Sequence, residues 1–488
     1  MSESSNAMER SDGIVDAFSR SVARGASDPL VVSPSRCASF ADVDATSRAV
    51  GDLIAHPGIE PGVLIGLAVP NGPAFLAGFL ALRRSGLSVL LLDPLAPSED
   101  RRRTVKAMGG AGMLECLDAW PDSAAAFRLV RTESLIALPG FPGIATVKLT
   151  SGSTGRARGV AMRADHLLAD EAALSLTMGL RGDDRLLAAI PMSHSYGLVT
   201  LALSAIVRGL TLVLPEDSGP LAALDAARKL GASVFPTGPA YLKALLKMSQ
   251  PPAWPDGIRL IISAGAPLPA ATAAEFRRRY GRPVHAFYGS SECGGICFDR
   301  EGGAAERGTV GTPVEGVRVS IEPMAGVDAG QGLVVVESPA VGATYLPEPD
   351  PRLDAGRFET RDLASWRGGE LELCGRVDNV INVRGFKVDP AEVESVLTAL
   401  DGVEEAVVIG VAAADGRDQI VRAVVACPSG SLDYEGIVSW CRLRLADHKV
   451  PRSVVIVEAI PRNARGKIDR SGLLALRAAG DAGRTAHG

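Results

Sequence analysis

The sequence predicts an α/β fold: a large layered N-terminal domain, built of α/β subdomains and a small β-rich section, with a smaller α+β domain at the C-terminal end. Three observations lead there. At 488 residues the chain is longer than one hydrophobic core usually grows, so two or more domains are expected. From about Asp42 to Ser263, helix-like periodicity alternates with short apolar runs, the pattern of helices layered on a partly parallel sheet. The C-terminal segment then begins afresh with a helix-start signal of its own.

Ala45–Ile54 has helical spacing, whereas Val63–Val69 is a short apolar run suited to a buried strand. The apolar stretches Ala74–Leu82 and Leu87–Leu92 read as a buried helix and a strand, both far short of the roughly 20 residues that cross a bilayer. Strand-like runs follow at Arg185–Ile190, Leu210–Leu214, Ser233–Phe235 and Leu260–Ser263, with helical segments between them. Leu333–Glu337 and Glu370–Cys374 form the β-rich section. Beyond it, Asp389 can cap a helix with Pro390 at its first position and Glu392 three residues after the cap, leading into Val393, Val396 and Leu397. Strands at Ala406–Ile409, Ile420–Ala426 and Val454–Val457, with a helix near Tyr434–Leu445, complete the second unit. The boundary falls near Gly375–Asp378 and divides the chain into residues 1–376 and 377–488.

Composition narrows the function classes. A hydrophobic fraction of 47% and a charged fraction of 22% belong to an ordinary folded globular protein. The 51 basic and 56 acidic residues are interspersed, so no basic stripe advertises a nucleic-acid partner. Seven scattered cysteines without a Cys-x-x-Cys pair suggest reduced thiols and a cytoplasmic setting, and six histidines that do not join them give zinc little support. The polar start lacks the basic and apolar regions of a signal peptide, and no membrane span is expected.

The chemistry concentrates in a few short segments. Thr150, Ser151, Gly152, Ser153, Thr154 and Gly155, closed by Arg158 and Gly159, pack hydroxyls and glycines into ten residues after an apolar run. Small residues let backbone N–H groups approach phosphate oxygens, and the hydroxyls add donors. The segment reads as a phosphate loop or, alternatively, as a Gly/Ser surface turn. It lacks the Gly-Lys-Ser/Thr ending of a Walker loop, and no G-x-G-x-x-G lies nearby.

This segment closely resembles the signature loop of the adenylate-forming superfamily: acyl- and aryl-CoA synthetases, adenylation domains of nonribosomal peptide synthetases, and luciferases. Further motifs follow in that family's order. Pro191 to Gly197 is similar to its Pro-x-x-His-x-x-Gly element, and Ser263, Ala264, Gly265, Ala266 and Pro267 to its adenine-side loop. Tyr288, Gly289, Ser290, Ser291 and Glu292 resemble its Tyr-Gly-x-Thr-Glu element, and Thr360 to Asp362 its Thr-Gly-Asp. Gly375 to Asp378, Asn382 to Lys387 and Arg465 to Arg470 resemble its hinge, the loop after the hinge and its terminal lysine loop. The resemblance implies that the C-terminal domain is a mobile lid turning about Asp378, with the active site between the domains.

The same resemblance implies roles by position. Lys467 would bridge the carboxylate and α-phosphate oxygens, although a lone Lys in such a loop is otherwise simply solvated. Glu292 would hold Mg²⁺, otherwise being a surface charge. Asp362 would accept hydrogen bonds from the ribose and Arg376 would reach the ribose or a phosphate, the alternative being a structural ion pair. Tyr288 would lie by the adenine, or pack in the core. His194 would border the acyl carboxylate and move aside for the thiol, or be a satisfied structural residue. Arg384, Gly385 and Phe386 would line the thiol tunnel, or form a plain β-turn. The implied reaction is ATP- and Mg²⁺-dependent formation of an acyl-AMP with release of pyrophosphate, then transfer to coenzyme A as co-substrate. A separate acyl carrier protein is the alternative acceptor; an oxygenase of the luciferase kind and an inactive nucleotide-binding relative are the rival readings.

Amino-acid-activating relatives carry an Asp for the substrate ammonium where this chain has Ser193 to Gly197, so a fatty, aryl or other non-amino carboxylic acid is expected. Tyr196, Leu198, Pro236, Thr237, Gly238, Ala264, Phe287 and Gly294 are the candidate wall of its pocket. Four departures from the family pattern stand out. Arg158 occupies the usual Lys position, Arg361 occupies the middle Gly of Thr-Gly-Asp and requires that φ there not be positive, Ser291 replaces Thr and keeps the hydroxyl, and Thr344-Tyr345 stands for Gly-Tyr.

Overall fold

The computed structural model describes residues 12–55, 59–131, 143–150, 158–217, 219–324, 327, 329–377, 381–383, 386–388, 390–412, 419–428, 430, 432–462 and 468–476. It divides into two compact units. The first comprises Met1–Val319, Val335–Glu359 and Arg367–Leu371; the second comprises Ser320–Val334, Thr360–Trp366 and Glu372–Gly488. The second unit thus takes up its main segment at Glu372, slightly ahead of residue 377, and also draws in two upstream stretches.

Two sheets organise the first unit. The seven-stranded one runs in the order Thr344–Leu346, Arg158–Arg163, Ile144–Thr150, Ser88–Leu91, Leu64–Ala68, Gly112–Glu115 and Arg128–Arg131. Its centre is parallel, with Leu64–Ala68 between Ser88–Leu91 and Gly112–Glu115, and these strands are buried along their whole length. Such strands read as unbroken apolar runs because both faces are covered. The helix Pro73–Arg84 is buried nearly all round, as its apolar sequence from Pro73 to Leu82 requires. The helix expected over Ala45–Ile54 begins earlier, at Phe40, because Ser39 and Asp42 close a capping box there.

The nine-stranded sheet runs Thr312–Pro313, Gly294–Phe298, His285–Ser290, Leu260–Ser263, Val234–Thr237, Arg185–Leu187, Thr211–Val213, Pro29–Val32 and Cys37–Ser39. From His285–Ser290 to Pro29–Val32 the neighbours are parallel. Open parallel sheets bind ligands in the loops beyond the carboxyl ends of their strands. Three of the motif segments lie at such ends, Pro191–Gly197 after Arg185–Leu187, the 264–267 loop after Leu260–Ser263 and Ser291-Glu292 after His285–Ser290, together with the candidate wall residue Gly238 after Val234–Thr237.

A further sheet orders Arg318–Pro323, Gly332–Glu337, Arg357–Arg367 and Leu353–Asp354, with Glu370–Arg376 against Arg357–Arg367. In the C-terminal part of the second unit, Glu405–Ala412, Gln419–Ala426 and Ser453–Val457 form a three-stranded sheet, the first pair antiparallel and the second parallel. Helices Pro390–Thr398 and Tyr434–Arg442 supply Val393, Leu397, Ile437, Val438 and Cys441 to its core, and Trp440 Nε1 donates to the Val396 carbonyl at 2.8 Å. Asp389, the expected cap of the first of these helices, lies outside the described residues. Among the described residues no helix is long and apolar enough to cross a membrane.

Candidate active site

The segment Pro191–Gly197 leaves its strand and turns into a helix at Ser195, with exposed His194 in the extended cap position. The motif's spacing has a steric cause. A Cβ on Gly197 would collide with the Pro191 carbonyl, so the turn closes only around glycine. Asn71 fastens the same segment from a distant loop, donating to the Ile190 carbonyl at 2.7 Å and accepting from Met192 N at 2.8 Å. Ser195 Oγ and Ser291 Oγ share a hydrogen bond of 2.8 Å, which brings the His194 turn beside the Tyr288–Glu292 segment.

Glu292 is half-buried. Ser290 Oγ accepts from Glu292 N at 3.2 Å and Cys293 N at 3.3 Å, a serine turn that presents the carboxylate. Tyr345 Oη donates to Glu292 Oε1 at 3.0 Å, and Gly342 N donates to the Glu292 carbonyl at 2.8 Å. Arg158 lies in the same cluster. It pairs with Asp350 at 2.7 Å, and its guanidinium carbon is 3.9 Å from the centre of the Tyr345 ring. Arg352 also pairs with Asp350 at 2.7 Å. The two arginines hold the Asp350 carboxyl well below the usual carboxylate range.

Of the expected pocket wall, Tyr196, Gly238 and Phe287 are partly exposed. The rings of Tyr196 and Phe287 meet with centroids 5.6 Å apart, and Tyr196 Oη donates to the Ile262 carbonyl at 3.2 Å. Pro236, Thr237 and Ala264 are buried beneath them. Leu198 is 0% exposed and offers a pocket no surface. Gly294 is buried too, with φ of +70° and a Cβ direction blocked by the Asp170 carboxylate, so its reason for being glycine is packing. Gly265, Ala266 and Pro267 form an exposed loop, and Tyr288 and Ser290 are half-buried beside exposed Gly289.

Asp362 and Arg376 belong to the second unit, where Arg376 Nη1 lies 2.9 Å from Asp362 Oδ1. Asp362 is 14% exposed in its side chain, and its N–H donates to Thr360 Oγ1 at 3.0 Å. Arg361 lies in the strand Arg357–Arg367, whose extended backbone removes the need for glycine there. Thr150 ends its strand, its hydroxyl donating to the Arg158 carbonyl at 3.2 Å. Ser151, Gly152, Ser153, Thr154, Gly155, Asp378, Arg384, Gly385 and Lys467 lie outside the described residues, as does the side chain of Phe386, which opens the strand Phe386–Val388.

Two family models match the chain: residues 142–346 match the AMP-binding enzyme family and residues 392–467 the AMP-binding enzyme C-terminal domain. Novobiocin biosynthesis protein H of Streptomyces niveus is 31% identical, across 94% of this chain and 82% of its own length. The chain belongs to the adenylate-forming, AMP-binding enzyme family. Feruloyl-CoA synthase of an Amycolatopsis species is 29% identical to this AMP-binding enzyme, over 84% of this chain and 88% of that one. In fold, o-succinylbenzoate-CoA synthetase of Bacillus subtilis, solved with its acyl-adenylate intermediate, superposes with a TM-score of 0.81 at 22% identity, covering 95% of this chain and 98% of that one.

Several residues of the AMP-binding enzyme's site have partners that the sequence does not signal. Asn71, Tyr345 and Asp350 act across separations of more than 50 residues on Met192, Glu292 and Arg158. Lys148 and Asp170 are buried under the same segment. Burial pulls the Lys148 ammonium down from its ordinary pKa against the opposing pull of Asp170, Cys293 and Glu292, and it pushes the Asp170 carboxyl up. Lys148 Nζ has no hydrogen-bond partner among the described residues, whereas Asp170 Oδ1 accepts from Gly295 N at 3.0 Å.

Proposed function

We propose that this protein is an AMP-forming acid–thiol ligase that couples ATP to a non-amino carboxylic acid, releases pyrophosphate and passes the acyl group from acyl-AMP to the thiol of coenzyme A. The observation that carries the reading is the gathering of the family's motif segments at the carboxyl ends of parallel strands in one sheet, with Glu292 held in place among them. In this reading residues 1–376 are the adenylation domain and 377–488 the lid that carries Lys467, and the protein works in the cytoplasm.

Adenylation needs an acyl oxygen delivered to the α-phosphorus while the charge on the phosphates is held. The loop from Thr150 to Gly155 lies along the phosphates, and Lys467 contacts the reacting oxygens. Glu292 fits Mg²⁺: it is a hard oxygen donor with one carboxylate oxygen taken by a neutral hydroxyl, and Mg²⁺ takes one or two carboxylates and completes its shell with phosphates and water. When bound, Mg²⁺ supplies charge neutralisation at the phosphates. Gly265 to Pro267 and Tyr288 border the adenine, Asp362 and Arg376 the ribose, and Arg384 to Phe386 the incoming thiol. His194, exposed at its helix start, borders the acyl carboxylate.

The paired rings of Tyr196 and Phe287 favour flat or short acids over long chains, and no acidic side chain stands in Ser193–Gly197 for an ammonium. Pyrophosphate exchange over a panel of aryl, short-chain, long-chain and amino acids tests this. Aryl or short acids should support exchange, and coenzyme A should then release AMP; exchange with amino acids alone would overturn the reading. Asp362→Asn keeps the side chain's shape but loses its charge, so the KM for ATP should rise by about tenfold with the KM for the acid unchanged. Steady-state kinetics with each substrate varied in turn checks it.

A further inference from the structure

Arg158 opens the strand that leaves the phosphate loop, where the family usually carries Lys, but its guanidinium is already engaged. One nitrogen is 2.7 Å from Asp350 Oδ2 and the planar group lies over the Tyr345 ring, with its carbon 3.9 Å from the centroid. Tyr345 is 2% exposed, in the edge strand Thr344–Leu346 that pairs with Arg158's own strand in the register Tyr345 to Val160. Its hydroxyl reaches Glu292. The approach is tight, since a Cβ on Gly342 would collide with Val160, and that glycine's N–H holds the Glu292 carbonyl.

We propose that Arg158 and Tyr345 are positioning residues for Glu292: the guanidinium clamps the phenol ring, and the phenol hydroxyl fixes one carboxylate oxygen so that the other faces the metal–phosphate group. The inference rests on the reading of Glu292 as the Mg²⁺ carboxylate. A Glu side chain loses rotamer freedom when it is immobilised, and this contact meets that loss before the metal arrives. The charge arrangement has the same sense. Two arginines sit beside two carboxylates, yet both pair with Asp350, and Glu292 receives a neutral donor. Its negative charge therefore stays available to a cation.

A clamp and a phosphate ligand respond differently to Arg158→Lys. Lysine keeps the point charge but loses the planar stack and the fork. The full-length enzyme and the variants E292Q, Y345F, R158K and Y345F/E292Q are compared by Mg²⁺ titration of pyrophosphate exchange and by calorimetric binding of ATP with and without Mg²⁺. Y345F should raise the half-saturating Mg²⁺ concentration by about tenfold, R158K should move it in the same direction, and metal-free ATP binding should stay within about twofold in both. Y345F should add less than about twofold in the E292Q background, because its effect runs through that carboxylate. The proposal is overturned if E292Q shifts the Mg²⁺ requirement and Y345F does not, or if R158K chiefly weakens metal-free ATP binding, the mark of a phosphate ligand. If E292Q leaves the Mg²⁺ requirement unchanged, the reading of Glu292 falls and the clamp falls with it. R158K leaves Tyr345 in place and decides the matter should Y345F fold poorly.

Discussion

Lys467→Ala should lower acid-dependent pyrophosphate exchange by at least about a hundredfold while leaving transfer from supplied acyl-AMP to coenzyme A largely intact. The asymmetry follows from the chemistry. In adenylation two anionic groups must meet, and a cation contacting both the acyl oxygen and the α-phosphate oxygens stabilises charge exactly where it crowds in the transition state. In thiol transfer the phosphate is a leaving group already attached to the acyl carbon, so that particular repulsion is gone. Lys467 is the final residue of the C-terminal family match, within the Gly-Lys-Ile of the terminal loop. Lys467→Arg should recover little, because a planar fork cannot replace a compact ammonium placed between two oxygens. Single-turnover measurement of each half-reaction gives the comparison; equal losses in both, or normal exchange in Lys467→Ala, would refute the assigned role.

The parts of the fold that were legible are those in which one local pattern dominates. Leu64–Ala68, Ser88–Leu91 and Leu260–Ser263 are strands buried on both faces, and such strands can only be written as short apolar runs. The helix Pro390–Thr398 begins where its proline lies. Glu292 and Asp362 could be singled out because each belongs to a contiguous motif. What holds them is of a different kind. Tyr345 meets Glu292 across 53 residues of sequence, and the substitution of Thr344-Tyr345 for the usual Gly-Tyr gives no hint of that partner. Leu198 and Gly294 lie close in sequence to wall residues and yet turn inward, because a helix and a glycine packed on a carboxylate set their direction. Burial of a charge is the least legible property of all, since a lysine or aspartate reads as a solvated residue until its surroundings are known.

Asp170→Ala should therefore be strongly destabilising, costing about 1–3 kcal/mol through the buried Gly295 N–H that it leaves without an acceptor. Asp170 and Lys148 are both almost wholly buried, at 2% and 1% exposure, and the carboxylate favours the charged form of an ammonium that has no hydrogen-bond partner among the described residues. Removing it strands that charge and also orphans the Gly295 N–H. Removing both charges tells a different story. Lys148→Met keeps the length of the chain, Asp170→Asn keeps an acceptor for Gly295, and the double variant should regain part of the loss, because the Coulombic influence of the carboxylate on the ammonium is absent from both of its states. The pH dependence has a definite sign. Lys148 has a folded pKa below its ordinary 10.5, so the unfolded chain holds that proton more tightly and the native state gains as pH rises toward 10.5. Without the opposing pull of Asp170 the depression deepens, and the deficit of Asp170→Ala should shrink as pH climbs through that window. Urea midpoints measured at several pH values for the two single variants and the double variant test both statements. A loss below about 1 kcal/mol in Asp170→Ala, or a double variant no more stable than it, would mean that water or relaxation of the chain solvates Lys148 and that the two charges are not coupled.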